Sequence, residues 1–280
     1  MNGLQDDYQV IISAISHTLE NDHEIYNERC QDSEYRGFDI VFNLLQKTYE
    51  EADSFHQHYC SFQKSDQDRK ISVDISSLVT SVRLAYEDLL SVAYLFNFRL
   101  VDDDEDLHFK VLVYEYLFYC TLKFLRRFKL EDFANVSSSD MGVKIKELRR
   151  KIKRHPLRVK FPQECQDALD SILSAEFPHS KSFILLDTQK LMQRSYFNEN
   201  FKRLYSLLSS FAHGGAYAVG IYGNRIYEQE GSKLIVLLYK SLLSIMSNMF
   251  VEYKLYCKVV WDDEIQLDSQ FGPSKVDMPK

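Results

Sequence analysis

The sequence has few of the residues that make tight turns. Only 9 of its 280 residues are glycine and 5 are proline, together about 5% of the chain against roughly 12% in an average protein. Folds built from many short strands use both residues to reverse the chain. This scarcity excludes an all-β fold, while 45% hydrophobic and 27% charged residues exclude a wholly disordered chain.

The cysteines are odd in number and dispersed. No two of the five form a Cys-x-x-Cys motif: they are Cys30, Cys60, Cys120, Cys165 and Cys257. Such a set argues against a disulfide framework and against a zinc site built from thiolates. It is typical of a protein that resides in a reducing cytosol.

No segment is expected to enter or cross a membrane. The N-terminus lacks the basic region and apolar run of a signal peptide. The uncharged residues 204–224 contain several glycines, and the long apolar run near the C-terminus is interrupted by Lys240 and Glu252. We therefore expect a soluble cytoplasmic protein with no membrane partner.

Motifs of the common cofactor and metal sites are missing as well. The chain has no glycine-rich phosphate loop, nucleophile elbow or zinc-protease helix. His56, His58 and Cys60 are residue types that bind metals, but helical spacing places His56 and Cys60 on a face that His58 does not share. We expect neither a cofactor nor a metal site.

Apolar residues recur at helical spacing through nearly the whole chain, which predicts an all-α, multi-helix bundle of eight to ten helices. The polar residues 21–34 and 64–70 are predicted to separate the first helices. The expected organisation is an N-terminal helical segment (1–66), a bundle core (67–262) and a mobile tail (263–280). The predicted helices cover residues 4–20, 35–63, 73–98, 107–128, 141–154, 163–177, 187–194, 197–213 and 232–261.

Positive charge is concentrated in residues 144–160. Nine lysines and arginines stand there against Glu147, a local charge of +8, so the rest of a chain whose net charge is −7 carries −15. Such a segment either pairs with the protein's own acidic surface or binds an anionic partner, most commonly a nucleic acid. The predicted nucleic-acid-binding residues are Lys146, Arg149, Arg150, Lys153, Arg154, His155 and Arg158.

Within this segment, Arg150 is followed after four residues by His155. That spacing resembles the active-site motif of HEPN-type helical ribonucleases. The resemblance implies that the arginine would stabilise phosphate charge and the histidine would assist attack by a ribose hydroxyl.

A second candidate site combines polar residues of two otherwise apolar helices. Tyr205, Ser209 and His213 recur at i, i+4 and i+8 and so form one polar stripe. Arg83 and Glu87 lie on a mostly apolar helix, where charged groups are costly to bury without partners. We expect Arg83 or Glu87 to hydrogen-bond this stripe. His213 is then either a structural cap or a functional group, a general acid or a phosphate ligand.

The stretches around these residues, 203–215 and 82–87, resemble the tyrosine–serine–histidine and arginine–glutamate helices of a bacterial family of unknown function. That family is usually grouped with HEPN and AbiV-like (abortive infection) proteins. The resemblance implies an all-α bundle and an association with phage defence or stress, and it makes the five polar residues candidate catalytic groups.

Two classes of function remain open. One is a HEPN-related cytoplasmic protein of bacterial defence or stress response that engages RNA or another anionic partner through the basic segment, with ribonuclease activity undecided. The other is a non-catalytic protein-interaction or regulatory subunit, with a protein partner from the same operon. Both classes allow a homo-oligomer.

Overall fold

The computed structural model describes residues 2–29, 38–66, 75–96, 105–126, 138–175, 199–212 and 230–261. Within these ranges 97% of the residues are helical, in eight α-helices and without strands, which confirms the all-α prediction. The helices are α1 (Asn2–Arg29), α2 (Phe38–Asp66), α3 (Ile75–Phe96), α4 (Asp106–Arg126), α5 (Ser138–Arg154), α6 (Gln163–Ser174), α7 (Glu199–Ala212) and α8 (Glu230–Trp261), with a 3-10 turn at Pro156–Lys160.

The described residues belong to two compact units, each considered by itself. The first comprises those of Met1–Val92 and Phe197–Lys280, and the second comprises those of Ala93–Tyr196. The predicted division at residues 66 and 67 cuts across the first unit, because α1 and α2 both pack against α8. As a statement about independently folding domains, that division stays a prediction, and the tail 263–280 and the predicted helix 187–194 lie outside the described residues.

The core of the first unit lies where α1, α2 and α8 pack pairwise. Each helix contributes large apolar side chains at helical spacing, and Ile15, Leu45, Phe55 and Tyr239 are completely buried. A stretch of α8, Lys233–Cys257, is long and apolar enough to cross a membrane by length and composition, but 72% of it is buried inside the protein. Burial of this kind is what a core helix shows.

The first helix is longer than predicted. Residues 21–29 continue α1 to Arg29, so the prediction of a polar passage from residue 21 is wrong over this part. Polar residues can form a helix where they face water. One residue of this part of α1 also hydrogen-bonds a buried tyrosine. The hydroxyl of Tyr253 on α8 donates a hydrogen bond of 2.6 Å to Oδ2 of Asp22.

The second unit is organised around the packing of α4 against α5, followed by the 3-10 turn and α6. The ring of Phe109 on α4 meets that of Phe161 edge-on, with centroids 4.8 Å apart. Lys110 and Asp106, both completely buried, form an ion pair of 2.7 Å one turn apart on α4. Lys110 also donates to the carbonyl of Tyr94 at 2.9 Å, which ties α4 to the last turn of α3.

Candidate functional site

Arg83 and Glu87 of α3 form an ion pair with each other. Nε of Arg83 lies 3.0 Å from Oε1 of Glu87, one helical turn away. Their side chains keep 15% and 41% of their exposure, so water solvates what the pair leaves unsatisfied. No hydrogen bond joins either residue to Tyr205 or Ser209 among the described residues, and a hydrogen bond to His213, which lies outside them, stays a prediction.

Contact between α3 and α7 is made by aromatic rings instead. The fully buried ring of Tyr86 lies 5.6 Å, centroid to centroid, from the half-buried ring of Tyr205. Burial raises the pKa of the Tyr86 phenol well above its usual value, and the nearby Tyr205 adds to the shift. The sequence does not reveal Tyr86 as this partner, because helical spacing marks a residue as buried without showing which ring it meets.

The polar stripe itself is only partly described. Tyr205 and Ser209 both lie on α7 with intermediate exposure, whereas α7 is described only to Ala212, and His213 lies outside the described residues. The structure thus places Tyr205 near α3 through Tyr86. The catalytic role of Arg83, Glu87, Tyr205, Ser209 and His213 stays a prediction.

The basic residues of α5 form one continuous stripe. Met141, Leu148 and Ile152 are buried on one face of the helix. Five cations at i, i+3, i+4, i+7 and i+8 share another face, because residues three and four apart are neighbours on a helix. All five are exposed, and we call them the basic stripe: Lys146, Arg149, Arg150, Lys153 and Arg154.

Other cations of the segment have partners within the unit. Lys151 binds Glu147 at 2.7 Å, and this hydrogen bond and charge hold the pKa of Glu147 below its usual range. Lys144 lies 6.0 Å from the ring centroid of Tyr119 on α4. In contrast, none of the basic stripe contacts a carboxylate in the part of the chain that the structure describes. Within the described residues the stripe is therefore exposed and forms no ion pair.

His155 directly follows the basic stripe in the sequence and has a structural role. It caps the 3-10 turn, with Nδ1 accepting the backbone N–H of Leu157 at 3.4 Å. Its ring packs edge-on against Phe109 at 4.9 Å and lies 6.3 Å from the ring of His108.

Arg158 differs from the other predicted nucleic-acid-binding residues. Its Nη2 contacts Oδ1 of Asp170 on α6, its side chain is 23% exposed, and its Nε is buried without a hydrogen-bond partner. These contacts tie the 3-10 turn to α6. Because Arg158 already forms an ion pair with Asp170, we exclude it from the basic stripe.

His56, His58 and Cys60 separate as the spacing predicts. Nδ1 of His58 contacts the carbonyl of Ser54 at 2.7 Å, whereas Nε2 of His56 lies 3.4 Å from Sγ of Cys60. No group of three or more histidine, cysteine or acidic residues suited to a metal ion occurs among the described residues. His56 nevertheless has partners on three helices, a feature that sequence reasoning missed.

Comparison with known proteins gives no relative: no family model, curated protein or solved structure matches this chain. What can be said of its function rests on the arrangement of its own residues.

Proposed function

We propose that this helical protein binds RNA through the basic stripe of α5. The observation that carries the proposal is that five exposed cations occupy one helical face and contact no carboxylate within the described residues. Leaving five charges of one sign side by side costs stability through mutual repulsion. A polyanion with closely spaced phosphates relieves that repulsion.

The dimensions of the stripe suit a nucleic acid backbone. From Lys146 to Arg154 it extends about 12 Å along the helix axis, at 1.5 Å per residue. A nucleic acid strand carries one phosphate per roughly 3.4 Å, so the stripe can contact three to five phosphates. Val143 is the exposed large hydrophobic residue of α5, and this helix has no aromatic residue to stack on bases. Binding should therefore depend little on sequence.

The negative net charge of the chain should confine RNA to the basic stripe. Its net charge is −7, so a polyanion is repelled by most of the molecule and attracted by α5. Such focused attraction orients a charged ligand during encounter. We further propose a cytoplasmic location and membership of the HEPN-related defence or stress proteins, which the arginine–histidine spacing and the two helix motifs support by resemblance.

We propose binding rather than cleavage. A ribonuclease needs a base or acid placed against the ribose and phosphate. Nδ1 of His155 accepts the Leu157 N–H and cannot act as the base while it does so, and Arg83 and Glu87 form an ion pair with each other. RNA cleavage that is lost in the variant His155→Gln would extend the function to catalysis.

A second candidate is an interaction module for an acidic protein partner. Val143 and Val159 are 65% and 80% exposed in the same basic segment, and apolar side chains beside cations suit a protein surface better than a phosphate backbone. Under this alternative, RNA should fail to bind even at low salt. The double variant Val143→Ser with Val159→Ser should weaken capture of a protein partner encoded in the same operon.

Fluorescence anisotropy with a labelled single-stranded RNA of about 20 nucleotides tests the proposal. Reversing Arg149, Arg150 and Arg154 to glutamate should abolish binding and leave the helical circular dichroism unchanged. The matched control reverses three exposed cations elsewhere, Lys123, Arg203 and Lys233, which changes the net charge equally. Loss of binding in the first variant alone supports binding at the basic stripe. Equal loss in both variants would mean that binding depends only on the net charge of the chain.

A further inference from the structure

Three helices of the first unit meet around the imidazole of His56 on α2. Nδ1 of His56 lies 2.8 Å from the hydroxyl of Tyr239 on α8, and its Nε2 lies 3.4 Å from Sγ of Cys60 on the next turn of α2. The ring of Tyr8 on α1 lies flat against the imidazole, with centroids 4.0 Å apart and planes 7° from parallel. Both ring nitrogens and one ring face are thus engaged.

The surroundings fix the orientation of this imidazole. Tyr239 is fully buried and its ring stacks on that of Tyr59 at 4.5 Å, and this packing restricts movement of its hydroxyl away from Nδ1. Tyr8 is held in turn by a hydrogen bond of 3.4 Å from its hydroxyl to Oδ1 of Asp53. When Nδ1 carries the proton and donates it to the Tyr239 oxygen, the lone pair of Nε2 faces the Cys60 thiol.

Cys60 is also the accessible thiol of the described part. Of the four cysteines there, Cys120, Cys165 and Cys257 are buried, and Cys60 is partly exposed. Cys60 is therefore the described cysteine that a small reagent from solvent should reach most readily. A thiol, a base within reach of its proton, and a third group that orients the base are the parts of an activated nucleophile.

We propose that Cys60 is a nucleophilic thiol whose substrates are small hydroperoxides, with His56 as its base and Tyr239 as the positioning residue. The proton of the thiol passes to Nε2 of His56 while the sulfur attacks one peroxide oxygen. The sulfur–oxygen bond forms, the oxygen–oxygen bond breaks, and the leaving hydroxide or alkoxide takes the proton from Nε2 to become water or an alcohol. Cys60 is oxidised to the sulfenic acid, and the peroxide is reduced.

The charges around His56 agree with this division of roles. The titratable groups that face it are Asp53 and Cys60 on α2, Tyr8 on α1 and Tyr239 on α8. Burial lowers the pKa of His56, and Asp53 opposes the shift, so at neutral pH the imidazole is the neutral form that accepts a proton. Burial raises the pKa of Tyr239, and Cys60, Tyr59 and Asp7 of α1 add to this, so Tyr239 stays a phenol.

The test measures the rate of Cys60 oxidation by hydrogen peroxide from pH 5 to 9. Sulfenic acid is trapped with dimedone and located by mass spectrometry, in the full chain with Cys30→Ser, because Cys30 lies outside the described residues. At pH 6, where an ordinary thiol of pKa about 8.5 is almost wholly protonated, Cys60 should react at least about tenfold faster than N-acetylcysteine. The rate should rise as His56 loses its proton, and because burial lowers the pKa of His56, the inflection should lie below 6.5, the ordinary pKa of histidine.

Two variants assign the roles of the neighbours. His56→Gln should lower the rate at pH 6 by about tenfold and remove the inflection below 6.5. Tyr239→Phe removes one oxygen and keeps the ring, so it tests the positioning role even if His56→Gln unfolds the unit; it should lower the rate and shift the profile. Tyr253→Phe removes a buried hydroxyl from the same helix, one that bonds Asp22 and not His56, and should leave the rate unchanged. A Cys60 that reacts no faster than N-acetylcysteine, or that keeps its profile in both His56→Gln and Tyr239→Phe, overturns the proposal.

Discussion

The ammonium group of Lys47 on α2 contacts both carboxylate oxygens of Asp88 on α3, at 2.7 and 2.9 Å. Asp88 is buried, whereas the side chain of Lys47 keeps 46% of its exposure. The pair therefore joins the second helix of the chain to α3, across the predicted boundary near residue 66. A buried carboxylate with one cationic partner depends strongly on that partner.

We expect Lys47→Met to destabilise the protein by about 2–3 kcal/mol at pH 7, because it leaves the Asp88 carboxylate buried without its cation. The variant Lys47→Met with Asp88→Asn should cost clearly less than the sum of the two single changes. Urea unfolding of all four proteins measures this coupling. Strict additivity would mean that the pair contributes nothing.

The same carboxylate should make stability depend on pH. Burial raises the pKa of Asp88 to about 6, although Lys47 opposes the shift. Because this folded-state pKa lies above the unfolded value, the contribution of Asp88 to stability is complete below about pH 4 and is lost as pH rises through about 6. The free energy of unfolding of the wild type should fall relative to that of Asp88→Asn by up to about 3 kcal/mol over this interval. A constant difference between the two proteins from pH 4 to 7 would contradict the raised pKa.

The hydrogen bond from Tyr253 to Asp22 should stabilise the second half of α1. Tyr253→Phe removes the donor from a fully buried ring and should cost about 1–2 kcal/mol. Amide exchange in residues 21–29 should accelerate more than exchange in residues 4–20. Asp22→Asn keeps an oxygen acceptor and should show a smaller effect. Equal acceleration of exchange along all of α1 in Tyr253→Phe would contradict a local role for this hydrogen bond.

Contact between α3 and α7 should depend on aromatic packing and not on the ion pair. A double-mutant cycle of Tyr86→Leu and Tyr205→Leu should give a coupling of about 0.5–1.5 kcal/mol. The matched cycle of Arg83→Met and Tyr205→Leu should give a coupling near zero, since Arg83 contacts Glu87 instead. A larger coupling in the second cycle would restore the predicted link between Arg83 and the polar stripe.

Local patterns in the sequence predicted most of the helices. The end of α5 at Arg154 follows from Pro156, and α8 begins and ends close to its predicted bounds because its apolar spacing is regular. The end of α1 was not predictable in this way. Residues 21–29 lack an apolar face, and the buried partner that secures Asp22 lies 231 residues along the chain.

The candidate functional residues likewise include some that the sequence predicts and some that it does not. Exposure of the basic stripe follows from spacing within a single helix, which a sequence shows directly. Pairings between distant residues do not: Arg158 with Asp170, Tyr86 with Tyr205, and His56 with Tyr239 across 183 positions. Each depends on how helices pack, and a tyrosine among many buried tyrosines carries no sign of its partner.

Salt dependence of RNA binding tests the role of the basic stripe most directly. If its five cations contact phosphates of a single strand, the logarithm of the association constant should fall with the logarithm of the salt concentration with a slope of about −3.5, so that affinity drops about 100-fold between 50 and 200 mM salt. Arg150→Ala should reduce that slope by about 0.7. A slope near zero, or an unchanged slope when Arg149, Arg150 and Arg154 are reversed to glutamate, would contradict RNA binding by α5.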